Sequence, residues 1–393
     1  MKTVCNFAEW DPKPGFKLGS KDIDGKLTYL GSKVWRNPHT VIVEKEVPKP
    51  GLDEVLIGVK ACGICGSDVH MRQSDKDGYI FYPGLTAFPV TLGHEFSGKV
   101  AEAGKNALNK RTGKQYEPGE PVCSEEMVWC AVCRPCCDGY PNQCENLQEI
   151  GFSIDGAYAK YIKMNARYLW SLDSLQEKYG EEKTYRLGSL VEPCSVAYNA
   201  VIERGGGIRA GDSVLVMGGG PVGIAACALL RRSGAAHVVM SEPSKIRRDM
   251  ALAMGATHAV DPNAVNAAET VLEITKGMGA NLILEATGLP SKVWQDVERI
   301  IWEGRTINTT VVIVARADDR IPLNGEVFQV RRAQVVGAQG HSGHGNFPRV
   351  ISCMADGMDL SKMITKTIGL DEVEENLLKL QTAVNDVKIT VIP

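Results

Sequence analysis

The chain has 393 residues, 44% of them hydrophobic, which is enough for large apolar cores and favours two domains. A net charge of −3 and a pI near 6.2, with Lys and Arg scattered along the chain, give no basis for binding nucleic acid or an acidic membrane surface. Residues 1–15 lack the apolar core of a secretory leader, and the most apolar window, 214–230, is broken by Gly218-Gly219-Gly220-Pro221, so an unanchored, cytoplasmic protein is expected.

In chain order, residues 3–7 read as a short strand, 10–38 as a Pro- and Gly-rich loop, and 41–47 and 54–59 as strands. The run ACGICGSDVH follows at once, ending at His70. A thiolate (Cys65), an imidazole (His94) and a carboxylate (Glu95) are the ligand types of a zinc that keeps one position open. Ser67 and His70 can each carry a proton, as a relay from an acidified oxygen to water must. Taken alone, Cys65 could equally be a small buried apolar residue. Residues 71–92 read as irregular, with Tyr79, Phe81, Tyr82 and Phe88. They form either a surface loop with aromatic packing or one wall of a substrate pocket. Residues 96–100 and a segment from Pro118 read as strands.

Twelve cysteines in a chain of cytosolic character suggest metal before disulfides. Cys130, Cys133, Cys136 and Cys144 are spaced to close a tetrahedral shell with no open position, so that metal would be structural. Arg134, Pro135, Gly139 and Pro141 argue against a helix there. Two disulfides, free thiols or an iron–sulfur cluster are the alternatives. Cys123 and Cys137 are then spare, and Cys5, Cys227 and Cys353 read as packing residues. Residues 156–162 show strand alternation, and 187–201 read as a helix carrying Glu192. That carboxylate either complements the helix N-terminus or serves as a ligand or water-holding group at the catalytic metal.

From Asp212 strands and helices alternate. A strand at 213–217 runs into Gly218, Gly220 and Gly223 in G-x-G-x-x-G spacing, with Pro221 and Val222 opening a helix that carries on to Arg231. These glycines permit a tight turn, close approach of a pyrophosphate and close helix packing. A second strand, 237–241, ends at Glu242, placed to meet an adenosine 2′-hydroxyl and to repel a 2′-phosphate, which favours NAD over NADP. Arg247 and Arg248 pull the other way, unless they lie on a solvated helix face. Helices at 247–254, 264–276 and 294–301 alternate with strands at 258–260, 281–285 and 310–314, and Glu285-Ala286-Thr287-Gly288 ends its strand on the side where such sheets bind ligand. This is the grammar of a doubly wound parallel sheet. The loop 340–345 brings His341 and His344, which either touch substrate or belong to a flexible loop. Residues 347–356 and 371–381 read as helices, and 387–392 as a strand returning to the first domain.

Taken together, GICGSDVH, GHE, the four-cysteine lobe, VEP, GGGPVG and EATG resemble, in order and over nearly the whole chain, the zinc-dependent medium-chain alcohol and polyol dehydrogenases. The resemblance implies an α/β protein: a GroES-like, mainly-β catalytic domain (1–190, with a structural zinc lobe at 123–145), a Rossmann NAD-binding domain (191–338) and a return to the catalytic domain (339–393). It implies a catalytic zinc at Cys65, His94, Glu95 and Glu192, a structural zinc at Cys130, Cys133, Cys136 and Cys144, and a relay through Ser67 and His70 with Asp68 behind the ligands. It places NAD against Gly218, Gly220, Pro221, Val222, Gly223, Glu242, Arg247 and Thr287. The expected reaction is hydride transfer from a secondary alcohol to NAD, in a homodimer or homotetramer. The N-terminal insert, residues 9–37, is similar to a branch that oxidises a cyclitol ketone. Sorbitol, threonine and 2,3-butanediol enzymes have shorter N-termini and are the alternatives. A non-catalytic redox-sensing or structural descendant would be expected to lose Cys65, Ser67, His94 or the glycines, and none is lost. Cys194, after Val191-Glu192-Pro193, departs from the family pattern and adds a possible ligand.

Overall fold

Strand periodicity dominates the first 170 residues. In the computed structural model, which describes residues 1–317, 319–382 and 386–393, β1 (Lys2–Trp10) pairs antiparallel with β2 (Trp35–Glu44). β3 (Glu54–Gly63) leads into the short helix α1 (Gly66–Arg72), and β4 (Val90–Thr91) joins β1. Next come β5 (Glu95–Ala103), β6 (Pro121–Ser124), β7 (Met127–Val128), one helical turn α2 (Arg134–Cys137), β8 (Gln148–Glu149), β9 (Tyr161–Asn165) and β10 (Leu169–Ser171). Helices α3 (Asp173–Tyr179), α4 (Glu181–Gly188) and α5 (Val191–Tyr198) follow.

The parallel region holds β11 (Ser213–Met217), α6 (Pro221–Arg232), β12 (His237–Ser241), α7 (Lys245–Ala253), β13 (His258–Val260), α8 (Ala267–Ile274) and β14 (Leu282–Glu285). It continues through α9 (Pro290–Glu303), β15 (Thr310–Ile313), α10 (Gly325–Arg331) and β16 (Gln334–Gly337). The chain then forms α11 (Asn346–Ala355), β17 (Ile364–Ile368), α12 (Val373–Leu380) and β18 (Lys388–Val391). Among the described residues no helix is long and apolar enough to cross a membrane.

Contacts divide the chain into two units. One holds Met1–Glu192, Phe347–Val384 and Lys388–Pro393; the other holds Pro193–Asn346 and Asn385–Val387. The first carries a seven-stranded sheet, β10-β6-β5-β3-β18-β17 with β9 also on β3. Because β3 has neighbours on both edges and packing on both faces, most of its residues are buried. The late strand β18 is stitched to β3, Thr390 opposite Gly63, so the chain does return to its first sheet. The second unit is a six-stranded parallel sheet in the order β13-β12-β11-β14-β15-β16, which is the 3-2-1-4-5-6 order of a doubly wound fold. Its central strands β11, β12 and β14 are almost wholly buried apolar runs, as helices on both faces require.

Four expectations need correction. The second strand begins at Trp35, inside the segment read as loop. Pro38 is tolerated because β2 is an edge strand and Pro38 lies at a register shift opposite Ala8. Residues 134–137 do form a helical turn, since Pro135 occupies the first turn, where its missing N–H is not needed. Residues 156–160 are not a strand. Their N–H groups at Gly156, Ala157 and Tyr158 instead donate to Thr91, Gly93 and Leu92 carbonyls, clamping the turn before His94. Finally, the 340–345 loop is not loose: His341 and Ser342 are buried, and Asn346 Nδ2 donates to the His341 carbonyl at 2.9 Å.

Candidate active site

The end of β3 and the start of α1 set the first ligand. Cys65 is extended (φ −97°, ψ 156°) and caps α1, with its N–H donating to Asp68 Oδ2 at 2.8 Å. Asp68 is fully buried, and its carboxylate also accepts from the Tyr158 hydroxyl at 3.0 Å. Its other oxygen, without a hydrogen-bond partner, faces His94 Nδ1 at 3.7 Å. Burial raises the Asp68 carboxyl, against the lowering pull of His94 and the Cys65 N–H. Burial lowers the His94 imidazole, but Asp68, Cys65 and Glu192 more than reverse this and hold it well above the ordinary range.

His94 and Glu95 arrive by register. Gly63 of β3 pairs with Glu95 at the start of β5, so the carboxylate returns to the cysteine. The ligand atoms of Cys65, His94 and Glu95 all lie within 4.8 Å of one another. The donor set is soft thiolate, imidazole and carboxylate, and His94 Nδ1 is buried without a hydrogen bond, so these residues fit a zinc ion. Glu192 stands in the first turn of α5, buried, and acts electrostatically on His94, but it is outside that three-residue group. Cys194 is fully buried in α5 and outside the group as well.

Lys388 was not legible as part of this site. It is fully buried on β18, donates to the Ile64 carbonyl at 2.8 Å and ion-pairs with Glu95 Oε2. Burial lowers its ammonium, and Glu95 and Cys65 more than offset this and raise it. The signal available in the sequence was a lysine inside the apolar strand Val387-Lys388-Ile389-Thr390-Val391. Phe152 was also missed: its ring lies 4.8 Å from the His94 ring.

Ser67 is half-buried and His70 exposed. Partial desolvation holds the His70 imidazole below its usual value. The His70 carbonyl accepts from the Phe81 and Tyr82 N–H groups, both at 3.1 Å.

In the cysteine lobe the four Sγ atoms lie within 4.8 Å of one another. Backbone N–H groups aim at the sulfurs: Cys133 N to Cys130 Sγ (3.4 Å), Cys130 N and Asn146 N to Cys144 Sγ (3.3 Å each), and Glu145 N to Cys133 Sγ (3.4 Å). The N–H groups of Val132 and Cys133 pull the Cys130 thiol down to about 6. Burial, and then Cys133, pushes Cys136 up to about 12. Four clustered thiols that cannot all ionise alone, surrounded by thiolate-stabilising donors, fit a closed tetrahedral metal site.

In the second unit, Gly218 (φ +101°) turns the chain out of β11 beside the Ala286 carbonyl, where a Cβ would come within 2.6 Å of its oxygen. A Cβ on Gly223 would collide with the Gly218 carbonyl oxygen, whereas one on Gly220 would meet nothing within 4 Å. The loop is therefore closed on its protein side and open at its middle glycine, as a cradle for a pyrophosphate at the N-terminus of α6 must be. Pro221 and Val222 form the first turn of α6. Glu242 accepts from Gly219 N at 2.6 Å and Ser244 N at 2.8 Å. Arg247 is half-buried, its guanidinium lowered by desolvation, with Nε lacking a hydrogen bond, so it is available to an anion. Arg248 does not lie on a solvated face: it donates to the Glu242 and Pro243 carbonyls (2.8 and 2.7 Å) and pairs with Asp261 at 3.2 Å. Thr287 donates from its N–H to Glu285 Oε1 at 2.8 Å, and its hydroxyl is shared between Glu285 and the Leu289 N–H. Gly223→Ala should weaken NAD binding at least about ten-fold, since the Cβ forces the cradle open. Fluorescence titration of NADH checks this, and unchanged affinity would remove the loop from the cofactor site.

Two family models match, an alcohol dehydrogenase GroES-like domain over residues 51–174 and a zinc-binding dehydrogenase domain over residues 221–356. Scyllo-inosose 3-dehydrogenase of Thermotoga maritima is 60% identical over 395 residues, covering 100% of both chains. The chain belongs to the zinc-binding alcohol dehydrogenase family. It is a zinc-dependent oxidoreductase with the GroES-like and doubly wound architecture the motifs implied. A solved alcohol dehydrogenase structure from Thermotoga maritima superposes with a TM-score of 0.96 at 59% identity, covering all of both chains. A zinc-binding dehydrogenase from Sinorhizobium meliloti, bound to NADP, matches with a TM-score of 0.75 at 26% identity and covers 94% of this chain and 99% of its own.

Proposed function

We propose that this dehydrogenase oxidises a ring hydroxyl of scyllo-inosose, or of a closely related cyclitol ketone, with NAD as acceptor. The observation that carries the proposal is the 60% identity to scyllo-inosose 3-dehydrogenase over the whole of both chains. Cys65 and His94, with Glu95 or Glu192 beside them, hold the catalytic zinc; Cys130, Cys133, Cys136 and Cys144 hold the structural one. When bound, the catalytic zinc supplies Lewis acidity that makes a neighbouring hydroxyl easier to deprotonate, and NAD supplies the hydride acceptor.

The protein's own groups do the rest. Ser67 accepts the hydroxyl proton and passes it toward His70. The lowered imidazole of His70 stays neutral near pH 7, so it can accept that proton and give it to water. Asp68 fixes the His94 ring through its facing carboxylate. In the second unit the glycine loop and α6 hold the pyrophosphate, Arg247 lies open to a phosphate oxygen, Thr287 borders the loop, and Glu242 takes the adenosine ribose hydroxyl. A buried carboxylate at that place disfavours a 2′-phosphate, which supports NAD over the NADP seen in the Sinorhizobium structure. Assembly as a homodimer or homotetramer in the cytoplasm belongs to the same reading.

The test is cofactor reduction by purified protein with scyllo-inosose, myo-inositol, sorbitol, 2,3-butanediol, threonine and ethanol. Scyllo-inosose should be preferred, NAD should exceed NADP by about ten-fold or more in kcat/KM, and metal analysis should give about two zinc per chain. A preference for butanediol, threonine or sorbitol would keep the chemistry and reassign the substrate.

A further inference from the structure

Residues 9–37 are absorbed by neither the metal site nor the cofactor site, yet they are not a loose appendage. From Thr28 onward they run along residues 78–88 as an irregular ladder. Thr28 and Thr86 exchange both backbone hydrogen bonds (3.0 and 2.9 Å); Gly31 N donates to the Gly84 carbonyl (3.0 Å), Ile80 N to the Trp35 carbonyl (3.1 Å) and Asn37 N to the Gly78 carbonyl (2.9 Å). Side chains add to it. Lys13 pairs with Asp75 at 3.0 Å and stands 4.5 Å from the centre of the Tyr79 ring, and Trp35 meets Phe88 edge-on at 5.0 Å. At Gly31 the two segments are so close that a Cβ would sit 2.7 Å from Thr86 Oγ1 and 2.8 Å from the Tyr82 carbonyl oxygen.

The held segment touches the site on two sides. The Phe81 and Tyr82 N–H groups donate to the His70 carbonyl. The Tyr82 ring stacks on Phe152 at 4.9 Å, the same ring that lies against His94, and Ala87 N donates to the Phe152 carbonyl at 2.9 Å. One continuous set of contacts thus runs from the insert through Tyr82 and Phe152 to His94.

We propose that residues 9–37 are a specificity brace. They hold Phe81 and Tyr82 in one position against the His70 carbonyl and the Phe152 ring, presetting the wall beside His94 for a rigid ring substrate. A ring polyol has few rotors with which to adapt, so its binding depends on a wall that is already in place, while a small open-chain diol can accommodate a looser one. The choice of a ring substrate rests on the function proposed above; the brace itself rests on the contacts.

The experiment compares Gly31→Val with the wild type and with Gly19→Ala, whose Cβ would meet only Asp22 Oδ2, at an ordinary 3.5 Å. Lys13→Ala, a half-buried contact, serves as a milder second variant should Gly31→Val fold poorly. Hydrogen exchange over residues 78–88 and 150–154 should speed up about ten-fold or more in Gly31→Val and less in Lys13→Ala, with residues 213–241 unchanged. For scyllo-inosose kcat/KM should fall about ten-fold or more, chiefly through KM, while 2,3-butanediol changes less than about three-fold. Equal losses on both substrates, or unaltered exchange at 78–88, would overturn the brace. If the wild type does not oxidise scyllo-inosose, the substrate proposal fails; the exchange measurement then decides the brace by itself, unaltered exchange rejecting it.

Discussion

His94→Ala should abolish alcohol oxidation, lowering kcat by about a thousand-fold or more, while NADH still binds with nearly wild-type affinity. A thousand-fold is about 4 kcal/mol of transition-state stabilisation, within what a metal centre supplies. The imidazole is buried, lies against Phe152 and faces Asp68, so truncating it removes the one nitrogen ligand of the Cys65, His94 and Glu95 group. Without it the site keeps Cys65 and Glu95, and Asp68 loses the group its free oxygen faces. The glycine cradle belongs to the other unit, which is why cofactor affinity should be spared. Steady-state rates with fluorescence titration, plus zinc analysis, read all three effects. Two zinc reduced to one, with turnover lost and NADH retained, fits the assignment of Cys65, His94 and Glu95. Surviving turnover would mean that the reaction does not use this centre.

Chemistry carried by local sequence was the most legible. The strand, three-glycine turn and helix around Gly218 needed only short-range pattern, and β11, β12 and β13 fall on the residues that pattern marked. The cysteine lobe was legible as a ligand set but not in its backbone, because Pro135 reads as a helix breaker and acts as a helix starter. What pattern could not supply is long-range register. Lys388 reaches Glu95 only because β18 comes back to β3 more than 320 residues after Ile64, whose carbonyl it also holds. The insert shows the same limit. Its Pro and Gly content signalled irregular backbone, which holds between β1 and β2 but not at Trp35–Asn37, and nothing local announces that Gly31 must lie against Tyr82 and Thr86. Arg248 stood either near a 2′-phosphate or on a solvated helix face, and only the fold of the β12–α7 turn shows its guanidinium turned onto the Glu242 and Pro243 carbonyls.

Lys388→Met should destabilise the metal-free protein strongly, by about 3–5 kcal/mol, the usual consequence of leaving one partner of a buried ion pair uncompensated. Both groups are sealed from water, so solvent cannot take over the charge of Glu95. The contact is built in closely: a Cβ on Gly63 would run into Glu95 Oε2 and lie 2.6 Å from Lys388 Cε. Met keeps most of the stem's volume, so the loss reports charge and the Ile64 hydrogen bond more than packing. Thermal unfolding of chelated protein should show a fall on the order of 10 °C. Zinc-loaded protein should lose clearly less, because a cation beside Glu95 compensates the carboxylate that Lys388 has released. The double variant Lys388→Met/Glu95→Gln, which removes both charges, should recover much of the metal-free stability, and the double-mutant cycle isolates the pair. An equal fall with and without zinc would show that Glu95 is out of reach of the metal and that its only partner is the lysine; a fall smaller with zinc would place Glu95 between two cations, able to serve either.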